Sequence, residues 1–202
     1  MITTLIFVRH GQSEAASKSI VQGRGLLVPL SKEGEKQAKA LARALKDFSI
    51  DFLFTSTALR ATQTAESIRQ FHRDTIYAEI SELNERSKGE AEGISKEAYA
   101  KKYPEIIQQW KQEIDARPPG GENFEDVEGR IVPVLEEHLK RHKGKTLLYA
   151  VHGNVMRSFL GYFLQVPFNL RYRIDQDYCA VNIVEYNHDS SRWRIRCINK
   201  TF

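Results

Sequence analysis

The sequence predicts an α/β protein, a three-layer sandwich with a mostly parallel central sheet, helices on both faces and a helical insertion over the active end of the sheet. Short runs rich in Val, Ile, Leu and Phe alternate with segments whose apolar residues recur at helical spacing. That is the pattern of parallel strands joined by crossover helices. Two of these runs end alike: Ile6-Phe7-Val8-Arg9-His10-Gly11 and Leu148-Tyr149-Ala150-Val151-His152-Gly153 both close on a histidine and a glycine. Ligands of open α/β sheets sit beyond the carboxyl ends of such strands, so neighbouring strands of this kind bring both imidazoles to one crevice.

A single domain over residues 1–202 is expected, with 87–122 as the helical insertion. Hydrophobic residues make up 41% and charged residues 28%, a globular composition that argues against disorder. The apolar runs are too short for a membrane span and the N-terminus lacks a secretory pattern, so a cytoplasmic address without a membrane partner is expected. The net charge of +4 is scattered along the chain. It suits a small anionic ligand, and no basic patch interleaved with aromatics predicts nucleic-acid binding. Cys179 and Cys197 have neither zinc nor redox spacing and read as reduced thiols.

The first strand covers about Thr4 to Val8, and Gln12 to Leu30 reads as a long, polar, glycine-containing loop. Ser31 caps a helix with Ala38, Leu41, Ala42, Leu45 and Phe48 on one face. After a second apolar run, Ile50 to Thr55, Ser56-Thr57 caps a helix reaching about Phe71, with Arg60 in its first turn. A cation there opposes the helix dipole unless an anionic group lies nearby. A third strand over Ile76 to Ile80 leads to Leu83-Asn84-Glu85-Arg86. The insertion contains two helical pieces and closes on Arg117-Pro118-Pro119-Gly120-Gly121. Asn123 caps the next helix, with Val127, Ile131, Val134 or Leu135, and Leu139 as its stripe and a kink expected at Pro133. Strand Thr146 to Val151 opens into a helix from about Val155 to Leu164, and Cys179 to Tyr186 with Trp193 to Ile198 forms an edge hairpin.

Two histidines, two arginines and a carboxylate suggest phosphoryl transfer, which needs a held anion and stabilised charge. Arg9 and Arg60 are fit to grip phosphate oxygens bidentately. A neutral His10, favoured by those arginines, offers a ring nitrogen that attacks phosphorus in line, and His152 shares the charge on the phosphoryl group. Glu85 is the candidate proton donor and later base, with Glu82, Glu90 and Glu92 as competitors on composition. Gln22, Gly23, Gly153 and Asn154 are candidate substrate-binding residues, the glycines because they admit close backbone approach. A rival use of His10, His152 and Glu85 as metal ligands is disfavoured because adjacent arginines repel a divalent cation. No metal and no cofactor are expected. His72, His138, His142 and His188 read as surface or satisfied residues.

Arg9-His10-Gly11, Gln22-Gly23 with Pro29-Leu30-Ser31 and Gly34, Ser56 to Ala65 around Arg60, Leu83-Asn84-Glu85-Arg86 and His152-Gly153-Asn154 occur in order over nearly the whole chain. Together they resemble the histidine phosphatase superfamily, in the branch of cofactor-dependent phosphoglycerate mutases and small-molecule phosphatases. The resemblance implies one phosphoglycerate mutase-like domain, a phosphorylated His10, a phosphate pocket completed by Arg9, Arg60 and His152, and Glu85 as proton donor, without a metal. It implies a metal-independent phosphatase acting on a small phosphomonoester, since the stretch from Glu85 to His152 is shorter than a mutase's. Phosphoglycerate mutase-type transfer and a non-catalytic phosphate-binding module are the alternatives, and a homodimer is compatible with all three. Two departures stand out. Ala16 occupies the position where the family usually has a phosphate-contacting asparagine, leaving Gln22 or Ser13 to compensate, and Lys88 and Ala91 flank Gly89 where aromatics are usual. Arg86, Lys88, Lys101 and Lys102 are candidates for holding a second anion.

Overall fold

The computed structural model describes all 202 residues. Six strands form one sheet: β1 (Ile2–Arg9), β2 (Phe52–Thr55), β3 (Ile76–Glu79), β4 (Thr146–Val151), β5 (Val181–Asn187) and β6 (Arg192–Lys200). Their order is β3-β2-β4-β1-β5-β6. The pairs β1/β4, β2/β4 and β2/β3 are parallel, and the β5–β6 hairpin joins antiparallel beside β1. The sheet is thus mixed and mostly parallel, as the alternating pattern predicts.

Alternation along the central strands builds two cores, because successive side chains point to opposite faces. Leu5, Phe7, Leu147, Tyr149 and Val151 pack on one face beneath α6 (Phe124–Arg141) and α7 (Gly153–Leu164). Ile6, Val8, Leu53, Leu148 and Ala150 pack on the other beneath α2 (Lys32–Leu45) and α3 (Leu59–Arg69). Three layers result. Each fully buried Leu, Ile or Phe contributes roughly 1.5–3 kcal/mol of transfer free energy, so the strand ends that carry the histidines stand on a stiff base.

Local chemistry sets the helix ends, with some departures from expectation. Ser31 caps α2 by accepting from the Gly34 amide, and Asn123 and Asp126 form a reciprocal capping box on α6. α2 stops at Leu45, so Phe48 lies beyond it and is exposed. Ser56 and Thr57 do not cap α3: its N-cap is Ala58, which makes no side-chain bond, because both hydroxyls are engaged by His152 and Asn84 instead. The loop after Gly11 holds a short helix, α1 (Glu14–Ser17), capped by Ser13. α6 runs on through Pro133, which lies on its exposed side, and the carbonyl four residues earlier belongs to Gly129, which is exposed as well and so open to solvent. Of Val134 and Leu135, Leu135 joins the core.

The segment 87–122 holds α4 (Lys96–Lys102) and α5 (Pro104–Lys111). It packs a third cluster, in which Ala91, Tyr99, Ile107 and Trp110 meet Val21 of the loop after Gly11. Backbone bonds fasten the two: the Val21 amide donates to the Ile94 carbonyl and the Gly93 amide to the Val21 carbonyl, both at 2.8 Å. No helix is long and apolar enough to cross a membrane.

Candidate active site

β1 and β4 are parallel neighbours with Arg9 opposite Val151, so His10 and His152 leave the sheet side by side, their ring centroids 5.0 Å apart. Gly11 must be a glycine for this to happen. A Cβ on it would lie 2.5 Å from the Gly34 carbonyl oxygen, so the chain turns beyond His10 in direct backbone contact with the start of α2. Thr64 of α3 steadies the same turn by accepting from the Gly11 amide at 3.2 Å.

A cavity of about 390 Å³ opens at these strand ends, lined by Arg9, His10, Gln22, Gly23, Arg60, Glu85 and Asn154 among others. His10 is buried, and its Nδ1 donates to its neighbour's carbonyl, that of Gly11, at 2.6 Å. That bond places the proton on Nδ1 and leaves Nε2 with its lone pair. Burial first, then the Arg60 and Arg9 guanidiniums, holds the His10 imidazole well below its usual range, so the neutral ring prevails at neutral pH.

The guanidiniums are fixed by main-chain carbonyls. Arg9 donates to the Gln176 carbonyl and stacks 4.0 Å from the centre of the Tyr178 ring. Arg60, fully buried, donates to the carbonyls of Gly25 at 2.7 Å and Gly23 at 3.0 Å. With the Gln22 amide oxygen turned toward it, Gln22 accepts from Arg60 as well, at 3.0 and 3.1 Å, and donates to Ser13. These oxygens offset the unfavourable placement of a cation in the first turn of α3. They also tie the loop 22–25 to the pocket.

Glu85 is the one carboxylate lining the cavity. The Arg86 amide donates to Oε1 at 2.8 Å and the Asn154 amide to Oε2 at 3.3 Å. Its competitors have other duties: Glu90 is exposed and accepts from the Tyr103 hydroxyl, Glu92 accepts from the amides of Arg24 and Lys88, and Glu82 is exposed beside Ser81. Arg130 of α6 holds the backbone of this turn from behind through the carbonyls of Glu82 and Glu85.

Two predicted residues lie beneath the cavity surface. His152 is fully buried, with Nε2 2.7 Å from the Ser56 hydroxyl, and burial, Arg60 and His10 keep its imidazole well below the usual range. Gly153 is buried under Arg9, where an added Cβ would sit 3.4 Å from Arg9 Nε. Of the two candidates to stand in for the missing asparagine, Gln22 lines the cavity beside Ala16, whereas Ser13 is fully buried as the α1 cap. His10, His152 and Glu85 are not grouped as a metal-ligand set, since no three His, Cys, Asp or Glu side chains converge in that way.

Tyr178 and Lys96 line the cavity and Ser56 bonds His152, places that the sequence did not assign to them. Tyr178 arrives because β5 runs antiparallel beside β1, with Val181 opposite Val8, which brings the residues before β5 to the carboxyl end of β1. An antiparallel hairpin docked on the first strand is the signal that points to it.

The sequence model of the histidine phosphatase superfamily (branch 1) matches residues 5–201. The chain belongs to this superfamily. A 2,3-bisphosphoglycerate-dependent phosphoglycerate mutase of Mesorhizobium japonicum is 35% identical over 167 residues, which cover 79% of this chain and 81% of the relative. The mutase of Rhizobium meliloti is 37% identical over 169 residues, 79% of each chain. Among solved structures, mycobacterial glucosyl-3-phosphoglycerate phosphatase superposes over 100% of both chains with a TM-score of 0.89 at 21% identity, a likeness of fold. Bacillus stearothermophilus YhfR superposes with a TM-score of 0.90 at 25% identity over 99% of this chain and 98% of the other. Similar shares of the chain and of its mutase relatives are covered, so their lengths are similar. The short stretch between Glu85 and His152 therefore does not separate phosphatase from mutase by itself.

Proposed function

We propose that this superfamily member is a metal-independent phosphatase that hydrolyses a small-molecule phosphomonoester through a phosphohistidine on His10, with Glu85 as proton donor. The observation that carries this reading is the 2.6 Å bond from His10 Nδ1 to the Gly11 carbonyl, in a ring kept neutral by its surroundings. Nε2 attacks phosphorus, the N–P bond forms as the P–O ester bond breaks, and Glu85 gives its proton to the departing alkoxide oxygen. Water then attacks the phosphohistidine, Glu85 takes its proton, and phosphate leaves with His10 restored. Arg9 and Arg60 compensate the charge on the equatorial oxygens, and His152, held by Ser56, supports the phosphoryl group from below.

The identity to mutases supports a second reading, in which the phosphoryl group returns to another hydroxyl instead of water. The test is hydrolysis of p-nitrophenyl phosphate with chelator present, alongside isomerisation of 3-phosphoglycerate. Hydrolysis should persist in chelator, and His10→Ala should lower it by at least about 10⁴-fold and remove the acid-labile phosphoenzyme. Turnover surviving His10→Ala would overturn the nucleophile, and isomerisation outpacing hydrolysis would favour the mutase.

A further inference from the structure

One carboxylate outside the cavity joins the two halves of the site. Glu122, the residue before the Asn123 cap of α6, accepts four hydrogen bonds from donors on three chain segments. Its Oε1 receives Arg24 Nη2 at 2.5 Å and Arg130 Nε at 3.0 Å, and its Oε2 receives the Ser87 amide at 2.9 Å and Arg130 Nη2 at 3.0 Å. Only a carboxylate presents acceptors on both sides to meet them all. Burial favours the neutral acid, but the bonds from Arg130 and the Ser87 amide outweigh it and hold the Glu122 carboxyl below its usual range.

One arm reaches the proton donor. Arg130 also donates to the carbonyls of Glu82 and Glu85, so Glu122 and Arg130 together bracket the turn on which Glu85 stands. The hold is reciprocal, since the Glu122 amide donates to the Ser87 carbonyl at 3.0 Å while the Ser87 amide donates to the carboxylate. Gly89 adopts φ +56°, and a Cβ there would lie 2.0 Å from the Pro119 carbonyl oxygen, so the turn is clamped against Pro119-Gly120 as well. Arg86 is fully buried inside it, its guanidinium enclosed by Phe124, Trp110 and Tyr172 at 5.0 to 5.3 Å. The other arm reaches the phosphate clamp. Arg24 stands between Gly23 and Gly25, whose carbonyls fix Arg60, and it is held twice: its amide donates to Glu92 Oε1 at 3.0 Å and its guanidinium to Glu122.

We propose that Glu122 is a positioning residue that couples the proton donor to the phosphate clamp, holding the Glu85 turn through Arg130 and the Arg60 loop through Arg24. Resting on the phosphatase reading above, this deepens it: the span from the Glu85 carboxyl to the seat of the phosphoryl group is set by one ion-paired carboxylate. Neither Glu122 nor Arg130 lines the cavity, so both act through the groups they hold. A shift of about 1 Å in a catalytic group, caused at a distance, is enough to cost on the order of 10²-fold in rate. The two arms differ in exposure. The Arg130 and Glu122 side chains are each 16% exposed and that of Arg24 is 42% exposed, so salt weakens the loop arm first. Glutamine at position 122 keeps the shape but not the bonding, because either orientation of its amide turns an NH₂ toward two donors.

The test measures kcat/KM for benzyl phosphate and p-nitrophenyl phosphate, and the affinity for orthovanadate, in the wild type, Glu122→Gln, Arg24→Met and Glu85→Gln. Glu122→Gln should lower kcat/KM about tenfold more on benzyl phosphate, whose alkoxide needs the proton, than on p-nitrophenyl phosphate. Arg24→Met cuts only the loop arm, so it should weaken vanadate by about threefold or more and leave the ratio of the two esters at the wild-type level. A variant that had merely lost packing would lose both esters alike. Where Glu85→Gln moves the ester ratio, an unmoved ratio in Glu122→Gln overturns the proposal, and so does vanadate affinity unchanged in both Glu122→Gln and Arg24→Met. A ratio that even Glu85→Gln leaves unmoved sinks the acid assignment alone, and amide exchange then decides the coupling. Segments 22–25 and 85–88 quickening together in Glu122→Gln would sustain it, and anything less than joint quickening would overturn it.

Discussion

The two sides of the cavity differ in how their polar groups are employed. On the sheet side, His10, Arg9 and Arg60 are each anchored to a main-chain carbonyl, and His152 to a serine. Buried donors without a hydrogen-bond partner occur on both sides but gather on the insertion side: Arg9 Nε and His152 Nδ1 against three nitrogens of Arg86 and the hydroxyls of Tyr99 and Tyr172. On the proposed function the first arrangement is preorganised, since side chains already fixed need no reorganisation when phosphoryl charge develops. The second keeps unspent donors around an aromatic and aliphatic wall, which suits recognition of whatever the ester carries. On the proposed function, reaction and selectivity fall to separate chain segments.

The largest effect that separates the two sides is kinetic. Glu85→Gln should lower kcat about 10²–10⁴-fold on alkyl phosphates and much less on aryl phosphates, whose leaving group needs little protonation. Trp110→Ala should raise KM about tenfold while kcat changes by less than about threefold, the signature of lost uniform binding. Steady-state kinetics on both ester types decide it. A Trp110 variant that loses kcat as steeply as Glu85→Gln would break the division of labour.

A smaller effect concerns acid. His138 on α6 lies under the sheet side, its ring 4.0 Å from that of Phe54 and its Nδ1 3.0 Å from the Tyr149 hydroxyl. Burial, with help from neighbouring His142, pulls its imidazole down to about 4. An unfolded histidine titrates near 6.5, so between those values the unfolded chain binds a proton that the folded chain refuses. The stability this group contributes is therefore full above about pH 6.5 and is lost as pH drops toward 4. His10 and His152, also lowered, act in the same direction. Urea midpoints from pH 7 to 4.5 should fall, and less steeply for His138→Leu; equal slopes would remove His138 from the account. Amide exchange under the same acidification should quicken in α6 and β4 before α4 and α5.

The sheet side was legible in the sequence because its logic is local. A strand delivers the residues at its end, and the repetition of apolar run, histidine and glycine survives any uncertainty about the rest. Helix caps at Ser31 and Asn123 follow from the same short-range chemistry, whereas Ser56-Thr57 misled because a hydroxyl pair before a helix can serve partners distant in sequence, here His152 and Asn84. Tyr178 was hidden for that reason too, since its place depends on the β5–β1 register. Within the insertion, Arg86 and Lys88 are two residues apart in an irregular turn with no period to assign them faces. Only the clamp at Gly89 sends one into a closed aromatic box and the other into the cavity.

The finest test makes the same substitution on each side. Tyr149→Phe removes a buried hydroxyl that is bonded to His138, so it should cost about 1 kcal/mol. Tyr99→Phe removes a buried hydroxyl that has no partner in the folded protein, and with it a desolvation penalty, so it should be neutral or stabilise by up to about 1 kcal/mol. For a chain of this size the thermal midpoint should fall by about 2–4 °C for Tyr149→Phe and stay level or rise by up to about that much for Tyr99→Phe, readable by differential scanning calorimetry. A fall for Tyr99→Phe equal to that of Tyr149→Phe would mean that its hydroxyl is satisfied in solution, and the insertion wall would then be as fully committed before substrate arrives as the strand ends it faces.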